Sequence, residues 1–229
     1  MGRVTPAGNV TDFSNGAGVS TGGRKWDMAA GPDGNLWYTD EMNNVVGRMT
    51  PPASAVEFPL PATAASAGPR GIAAGLDGNL WIVAAGAIVR ATPLGAATEF
   101  TAGISAASQP LDITAGPDGA LWFTEQAGRI GRITTTGAIT EFSGGISPGA
   151  NPTGIAAGPD GNLWFTEYIG NRIGRITTAG AVTEFSAGLS PLAQPRSITA
   201  GPTGTSGSPR RTSRGSAGSR PPASSPSTR

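Results

Sequence analysis

Gly158-Pro159-Asp160-Gly161-Asn162-Leu163-Trp164 is the stretch whose reading decides the fold. It stands unchanged at Gly31 to Trp37. It recurs with Leu for Pro at Gly75 to Trp81, and with Ala for Asn at Gly116 to Trp122. A fifth copy opens at Gly201-Pro202 and breaks off. The five leading glycines lie 44, 41, 42 and 43 residues apart.

A period of about 40–45 residues is that of a four-stranded propeller blade. The unit around Trp164 divides accordingly. Thr153 to Ala157 forms a strand of small residues, and Pro159-Asp160-Gly161-Asn162 a turn in which Pro presets φ and Gly supplies φ > 0. Leu163 to Glu167 is an apolar, aromatic strand. Gly170-Asn171 turns the chain into Arg172 to Thr177, which alternates polar and apolar with period two. Ala179-Gly180 turns it again into Val182 to Phe185. No stretch sustains a 3.6-residue period, and Gly or Pro interrupts the chain about every ten residues, which excludes a helical reading. The expected fold is an all-β propeller with a period of about 42 residues. Its tryptophans pack between blades, and the small residues of each first strand line the crowded inner edge.

The chain opens on the third strand of a unit. Gly2-Arg3-Val4-Thr5 matches Gly174 to Thr177, and Val10 to Phe13 matches Val182 to Phe185. Residues 1–202 therefore read as four blades behind a leading half-blade, an incomplete ring. Residues 203–229 differ in kind. Ser, Arg, Pro and Gly dominate, Ala217 and Ala223 are the only apolar side chains besides proline, and this composition predicts a disordered tail. A single missing base explains it better than a linker does. High-GC codons for Gly201 to Arg210, reread with one C restored, spell Gly-Pro-Asp-Gly-Asn-Leu-Trp-Phe-Thr-Glu. Further on, codons for Arg214 to Arg220 yield Arg-Ile-Gly-Arg-Ile-Thr at the expected spacing. The tail is read as a frameshifted blade. An open arc would expose two blade faces, which predicts self-association.

Composition bounds function. The chain has 229 residues, a net charge of +1 and no cysteine. It therefore has neither disulfides nor thiolate metal sites, and its charge makes no case for nucleic acid. No apolar run approaches a membrane span, and no leader pattern opens the chain, which leaves the cytoplasm as the default compartment.

The residues from Asp160 to Glu167, then Asn171 to Thr177, then Thr183-Glu184-Phe185, resemble the repeat of the streptogramin B (virginiamycin B) lyase family, which is also similar to NHL-type repeats. The resemblance spans residues 2–202. It is specific for the repeat and less so for the reaction. It implies seven blades and the opening of a cyclic depsipeptide antibiotic by elimination. A magnesium ion held by Glu and His polarises the ester, and a His-centred base removes the proton. This sequence contains no histidine. No catalytic residue is carried over, no magnesium ligand is assigned, and the chain is expected to be inactive as it stands. A non-enzymatic binding or scaffold propeller is the alternative, and an active lyase is disfavoured by the missing histidines.

Two sets of positions break the repeat. Just before the first strand's Ile-Ala, successive units read Trp26-Asp27, Arg70-Gly71, Leu111-Asp112, Thr153-Gly154 and Arg196-Ser197. Variation against a constant frame is what a binding surface at the channel mouth produces. Drift at exposed loop ends produces it too. Trp26, Asp27, Arg70, Asp112, Thr153 and Arg196 are accordingly the candidates for holding a small molecule, glycan or peptide. The second set is acidic. Asp40, Glu125 and Glu167 end their blades' second strands, with Ala84 interrupting the series. Convergence would make them ligands for a hard cation; a local role, such as pairing Glu167 with Arg172, is the competing reading.

Overall fold

A computed structural model describes residues 2–4, 10–12, 18–50, 54–61, 68–84, 86–201 and 206–207. Its ordered body is four antiparallel four-stranded sheets, each a simple meander in chain order. Blade I runs from Lys25–Ala30 through Leu36–Asp40 and Val45–Thr50 to Ser54–Pro59. Blade II uses Ile72–Ala74, Leu80–Ala84, Ala87–Ala91 and Ala97–Phe100. Blade III uses Pro110–Ala115, Leu121–Glu125, Arg129–Ile133 and Ile139–Phe142. Blade IV uses Pro152–Ala157, Leu163–Glu167, Arg172–Ile176 and Val182–Phe185. First strands of successive blades lie against one another, so they form the inner edge of a propeller. Among the described residues no helix is long and apolar enough to cross a membrane.

The repeated heptapeptide folds the same way each time. Asp160 Oδ1 accepts hydrogen bonds from the Asn162 N–H at 3.2 Å and the Trp164 indole N–H at 3.1 Å. Asp33 and Asp118 accept from Trp37 and Trp122 at 2.9 and 3.0 Å. Between them Gly161 takes φ +75°, a conformation costly for any other residue. The turn thereby pins the indole, which stacks on the Phe of the fourth strand, with centroids 5.5 Å apart for both Trp122–Phe142 and Trp164–Phe185.

Those stacked pairs are the trailing half of each blade interface. Trp122 and Ile130 of blade III bury themselves against Ile155, Leu163, Phe165 and Ile176 of blade IV. Trp81 and Ile88 meet Ile113, Leu121, Phe123 and Ile133 in the same way, and Trp37 meets Ile72, Leu80 and Ile82. Three separate layers of the core thus lie one between each pair of adjacent blades, and a fourth, smaller cluster of Tyr38 and Met49 lies on the outer face of blade I. Polar contacts repeat with the layers: Arg48 Nη1 donates to the Pro93 carbonyl at 3.0 Å, and Arg90 Nη1 to that of Thr135 at 3.1 Å.

The flanking segments form two-stranded pieces, Gly2–Val4 with Val10–Asp12 and Thr199–Ala200 with Ser206–Gly207. Apart from Ser206–Gly207, the expected disordered tail lies outside the described residues.

Candidate functional site

The positions that vary between repeats are also where the sheet is irregular. In blades I, III and IV the first strand carries an extra residue against the second, between Lys25 and Met28, Pro110 and Ile113, and Pro152 and Ile155. Such a bulge swings side chains out of the pleat. The threonine of each second strand holds it in place. Thr124 Oγ1 accepts from the Asp112 N–H at 3.1 Å and donates to the Thr153 carbonyl of the next blade at 2.7 Å. Thr39 does the same for Asp27 and Arg70, at 3.2 and 2.5 Å. In blade IV, Thr166 Oγ1 accepts from the Gly154 N–H at 2.8 Å and shares a hydrogen bond with the Thr153 hydroxyl at 2.8 Å.

These bulges bring Trp26, Asp27, Asp112 and Thr153 onto the wall of one cavity of about 280 Å³, which Arg196 also lines. Arg70 joins Trp26, Thr153 and Arg196 on an adjoining cavity of about 380 Å³. All six sequence-derived positions thus share one mouth. Glu41, Gln126, Asn151 and Tyr168 were missed: the last three line the second cavity, and Glu41 holds its Arg70. Glu41, Gln126 and Tyr168 follow the second strand directly, where the units read Glu41, Ala85, Gln126 and Tyr168. Repeat-to-repeat variation marks them as plainly as it marks Trp26 or Arg196.

The rim is aromatic and cationic. Arg24 lies 4.4 Å above the Trp26 ring and Arg70 lies 5.3 Å from it. Glu41 fixes both, accepting from Arg24 Nη1 at 3.0 Å and from Arg70 Nε at 3.2 Å. Across the mouth Arg196 lies 4.2 Å over the Tyr168 ring.

The floor is acidic, but its carboxylates are committed to the backbone. Asp27 accepts from the Met28 N–H at 2.8 Å and, across the blade boundary, from the Ile72 N–H at 3.1 Å. Asp112 accepts from the Ile113 and Ile155 N–H groups, both at 2.9 Å. Burial raises both groups above the usual carboxylate range, and Asp112 is pushed up to about 7, with the Asp27 charge adding to the effect. In blades II and IV the matching residues are Gly71 and Gly154. A Cβ on Gly71 would come within 2.8 Å of Asp112 Cα, so the tight approach of blade III requires glycine there.

The acidic series does not converge. Asp40 takes a salt bridge from Lys25 and hydrogen bonds from Arg24 and Asn43 within its own blade. Glu167 lies 4.0 Å from Arg172. Burial first, then a neighbouring fourth-strand carboxylate, pushes Glu125 and Glu167 each up to about 8, the neighbours being Glu141 and Glu184. No three His, Cys, Asp or Glu side chains come together among the described residues. Magnesium demands near-ideal octahedral geometry and is held by one or two carboxylates with several retained waters. Asp27, Asp40 and Asp112 are already bound by Lys25 or by backbone N–H groups, so no magnesium ligand is assigned among the described residues, and no chemical step is routed through the ion.

Comparison with known proteins points one way. The model of the "Virginiamycin B lyase family" matches residues 1–107 and 66–206. The crystal structure of virginiamycin B lyase from Staphylococcus aureus is 36% identical, with a TM-score of 0.81, over 87% of this chain and 67% of that one. A catalytically inactive variant of that lyase, with a histidine replaced by alanine and quinupristin present, is 38% identical over 88% of this chain and 67% of its own, at TM-score 0.78. A streptogramin B lyase structure is 31% identical over 93% and 76%, at TM-score 0.80. A gluconolactonase from Xanthomonas campestris, at 19% identity and TM-score 0.63, shares the fold alone. No curated protein matches the chain.

Proposed function

Because the chain belongs to the virginiamycin B lyase family, we propose that it binds at the family's channel mouth without performing the elimination. The single observation that carries this is the absence of histidine from all 229 residues. In the related lyase, exchanging one histidine for alanine yields a protein described as catalytically inactive. Abstraction of a proton beside a carbonyl needs a base poised near neutral pH. The one described group at the mouth with such a value, Asp112, has each of its oxygens accepting from a backbone N–H group, those of Ile113 and Ile155. Asp112 therefore ties blade III to blade IV, and the mouth is left with a binding task.

The binding reading has its own support. Trp26, Arg70, Thr153 and Arg196 differ from blade to blade and share one concave wall, with Trp26 and Thr153 on bulges. The test is direct. The purified chain is incubated with a streptogramin B antibiotic and magnesium, and ring-opened product is followed by mass spectrometry alongside calorimetric titration. The expected result is binding without product above the spontaneous background. Sustained turnover by this chain would overturn the reading.

The frameshift reading of residues 203–229 is also proposed. Thr199↔Gly207 and Ala200↔Ser206 pair at the sequence spacing of Ala156↔Trp164 and Ala157↔Leu163. That spacing is what the opening of a fifth blade would give, and it supports the reading. Sequencing the locus tests it: an intact frame, with no base whose insertion restores the repeat, removes the idea.

A further inference from the structure

Two arginines stand on the walls of the mouth, and they are in different electrostatic states. Arg70 is paired with Glu41 at 3.2 Å, a carboxylate it shares with Arg24. Arg196 has no ion pair and no guanidinium hydrogen bond to any described residue; its one contact of note is the face of the Tyr168 ring. A guanidinium stacked on an aromatic ring presents its flat face to the π-cloud and keeps its N–H edge free in the plane. That edge carries parallel donors at the spacing of a carboxylate's two oxygens. Arg196 lies on both cavities, so the free edge borders the space a ligand would enter.

The surroundings favour an anion. At the rim Arg24 and Arg70 share the Glu41 carboxylate, and Arg196 adds a third cation across the mouth. Below it, the oxygens of Asp27 and Asp112 are bound by the Ile72 and Ile155 N–H groups, which offsets their charge. Ser197 stands beside Arg196 on the same wall, and Trp26, 38% exposed, and Leu111 supply apolar surface opposite. A cation on one side and an aromatic wall on the other suits a carboxylate attached next to an apolar or aromatic group.

We propose that Arg196 is a carboxylate receptor, so that the mouth holds the ring-opened, linear acid of a streptogramin B depsipeptide in preference to the closed ester. The inference rests on the ligand reading above. A closed ester offers Arg196 only a neutral carbonyl, whereas the opened chain ends in a carboxylate that engages both donors. In this arrangement an inactive propeller retains the product state of its relatives' reaction.

Calorimetric titration of the full chain tests this with four probes: the cyclic antibiotic, its alkali-opened linear acid, the methyl ester of that acid, and N-acetylphenylalanine beside its amide. The linear acid is expected to bind about tenfold or more tightly than its methyl ester, the scale of one charge-assisted bond pair. Arg196→Gln should erase that difference, Arg196→Lys should retain part of it, and added salt should shrink it. Because Arg196 is exposed, thermal unfolding of the variants should match the parent. Equal affinity for acid and methyl ester, or a preference that survives Arg196→Gln, overturns the inference while leaving the ligand reading standing. Arg196-dependent binding of N-acetylphenylalanine with no affinity for any streptogramin form supports the receptor and overturns the ligand reading. Binding of none of the probes overturns both.

Discussion

The face that blade IV turns toward blade III and the face that blade I turns away from blade II carry matching residues in matching register. Solvent treats them differently. Ile155 and Leu163 are 4% and 0% exposed under Trp122, whereas Met28 and Leu36, at the same two positions of blade I, are 49% and 42% exposed. At the opposite side Phe185 of blade IV is 40% exposed, while its counterparts Phe58, Phe100 and Phe142 are backed by a following blade. Tyr38 and Met49 of blade I keep only Val19 and Ala55 as apolar company among the described residues. Burial in a repeat protein belongs to the neighbour and not to the residue, because each unit cannot cover its own apolar face. The interior interfaces are where the stability lies.

The largest test of that contrast is at the tryptophans. Trp122→Ala removes a fully buried indole and is expected to cost about 3–5 kcal/mol. Trp164→Ala removes the same side chain from a partly exposed site and should cost distinctly less. Urea unfolding midpoints decide it, and equal losses would break the contrast. A second test uses the glycine beneath each aromatic ring. A Cβ at Gly131 would lie 2.0 Å from Phe123 Cζ, and one at Gly47 would lie 2.0 Å from Tyr38 Cζ. Phe123 is locked by blade II, so Gly131→Ala should cost about 1–3 kcal/mol. Tyr38 has fewer neighbours to displace, so Gly47→Ala should be milder by the same assay.

Uncovered faces should also show in solution. Leu36, Met28 and Phe185 form edges complementary to one another in the way the interior faces are, which favours head-to-tail association of copies. Sedimentation velocity should reveal concentration-dependent assembly that Leu36→Ser with Phe185→Ser weakens. A monomer at every concentration would argue that these faces are satisfied within the chain.

The smallest effect sets blades III and IV, with Glu125 and Glu167, against blade II, which has Ala84 in that place. Each glutamate is raised from its ordinary 4.5 to about 8 in the folded chain. The folded state therefore holds protons that the unfolded chain has released. Their stabilisation is full below about pH 4.5 and declines as pH rises toward about 8. Glu125→Gln with Glu167→Gln should flatten the fall in unfolding free energy between those pH values. A slope unchanged in the double variant would mean that other groups produce it. Carboxylates held low, such as Asp118 and Glu184, act in the opposite window, where stability is lost as pH falls through their depressed values.

Much of this was legible without coordinates. Asp160-Gly161-Asn162-Leu163-Trp164 dictates its own turn through local bonds, so the period and the strands follow from spacing, whereas the stacking of each Trp on a fourth-strand Phe came only with the coordinates. The six mouth residues stood out because Trp26, Arg70 and Arg196 interrupt an otherwise constant frame. Tyr168 and Gln126 obeyed the same rule one strand later and passed unnoticed beside the more conspicuous acids. Those acids illustrate the limit of the pattern. Asp40, Glu125 and Glu167 share a register position, but equal positions on successive blades are spread around an arc and meet only at its inner edge.

By itself the sequence determined the blade, because its turns and strands rest on contacts within some forty residues, and it excluded histidine chemistry by composition. Only the tertiary structure decided which apolar residues are buried, which carboxylates are spent on a neighbour's backbone, and that Arg196, unlike Arg70, meets no carboxylate among the described residues. Those outcomes depend on what the adjoining blade places a few ångströms away, and no period along one chain encodes the distance between two of its repeats.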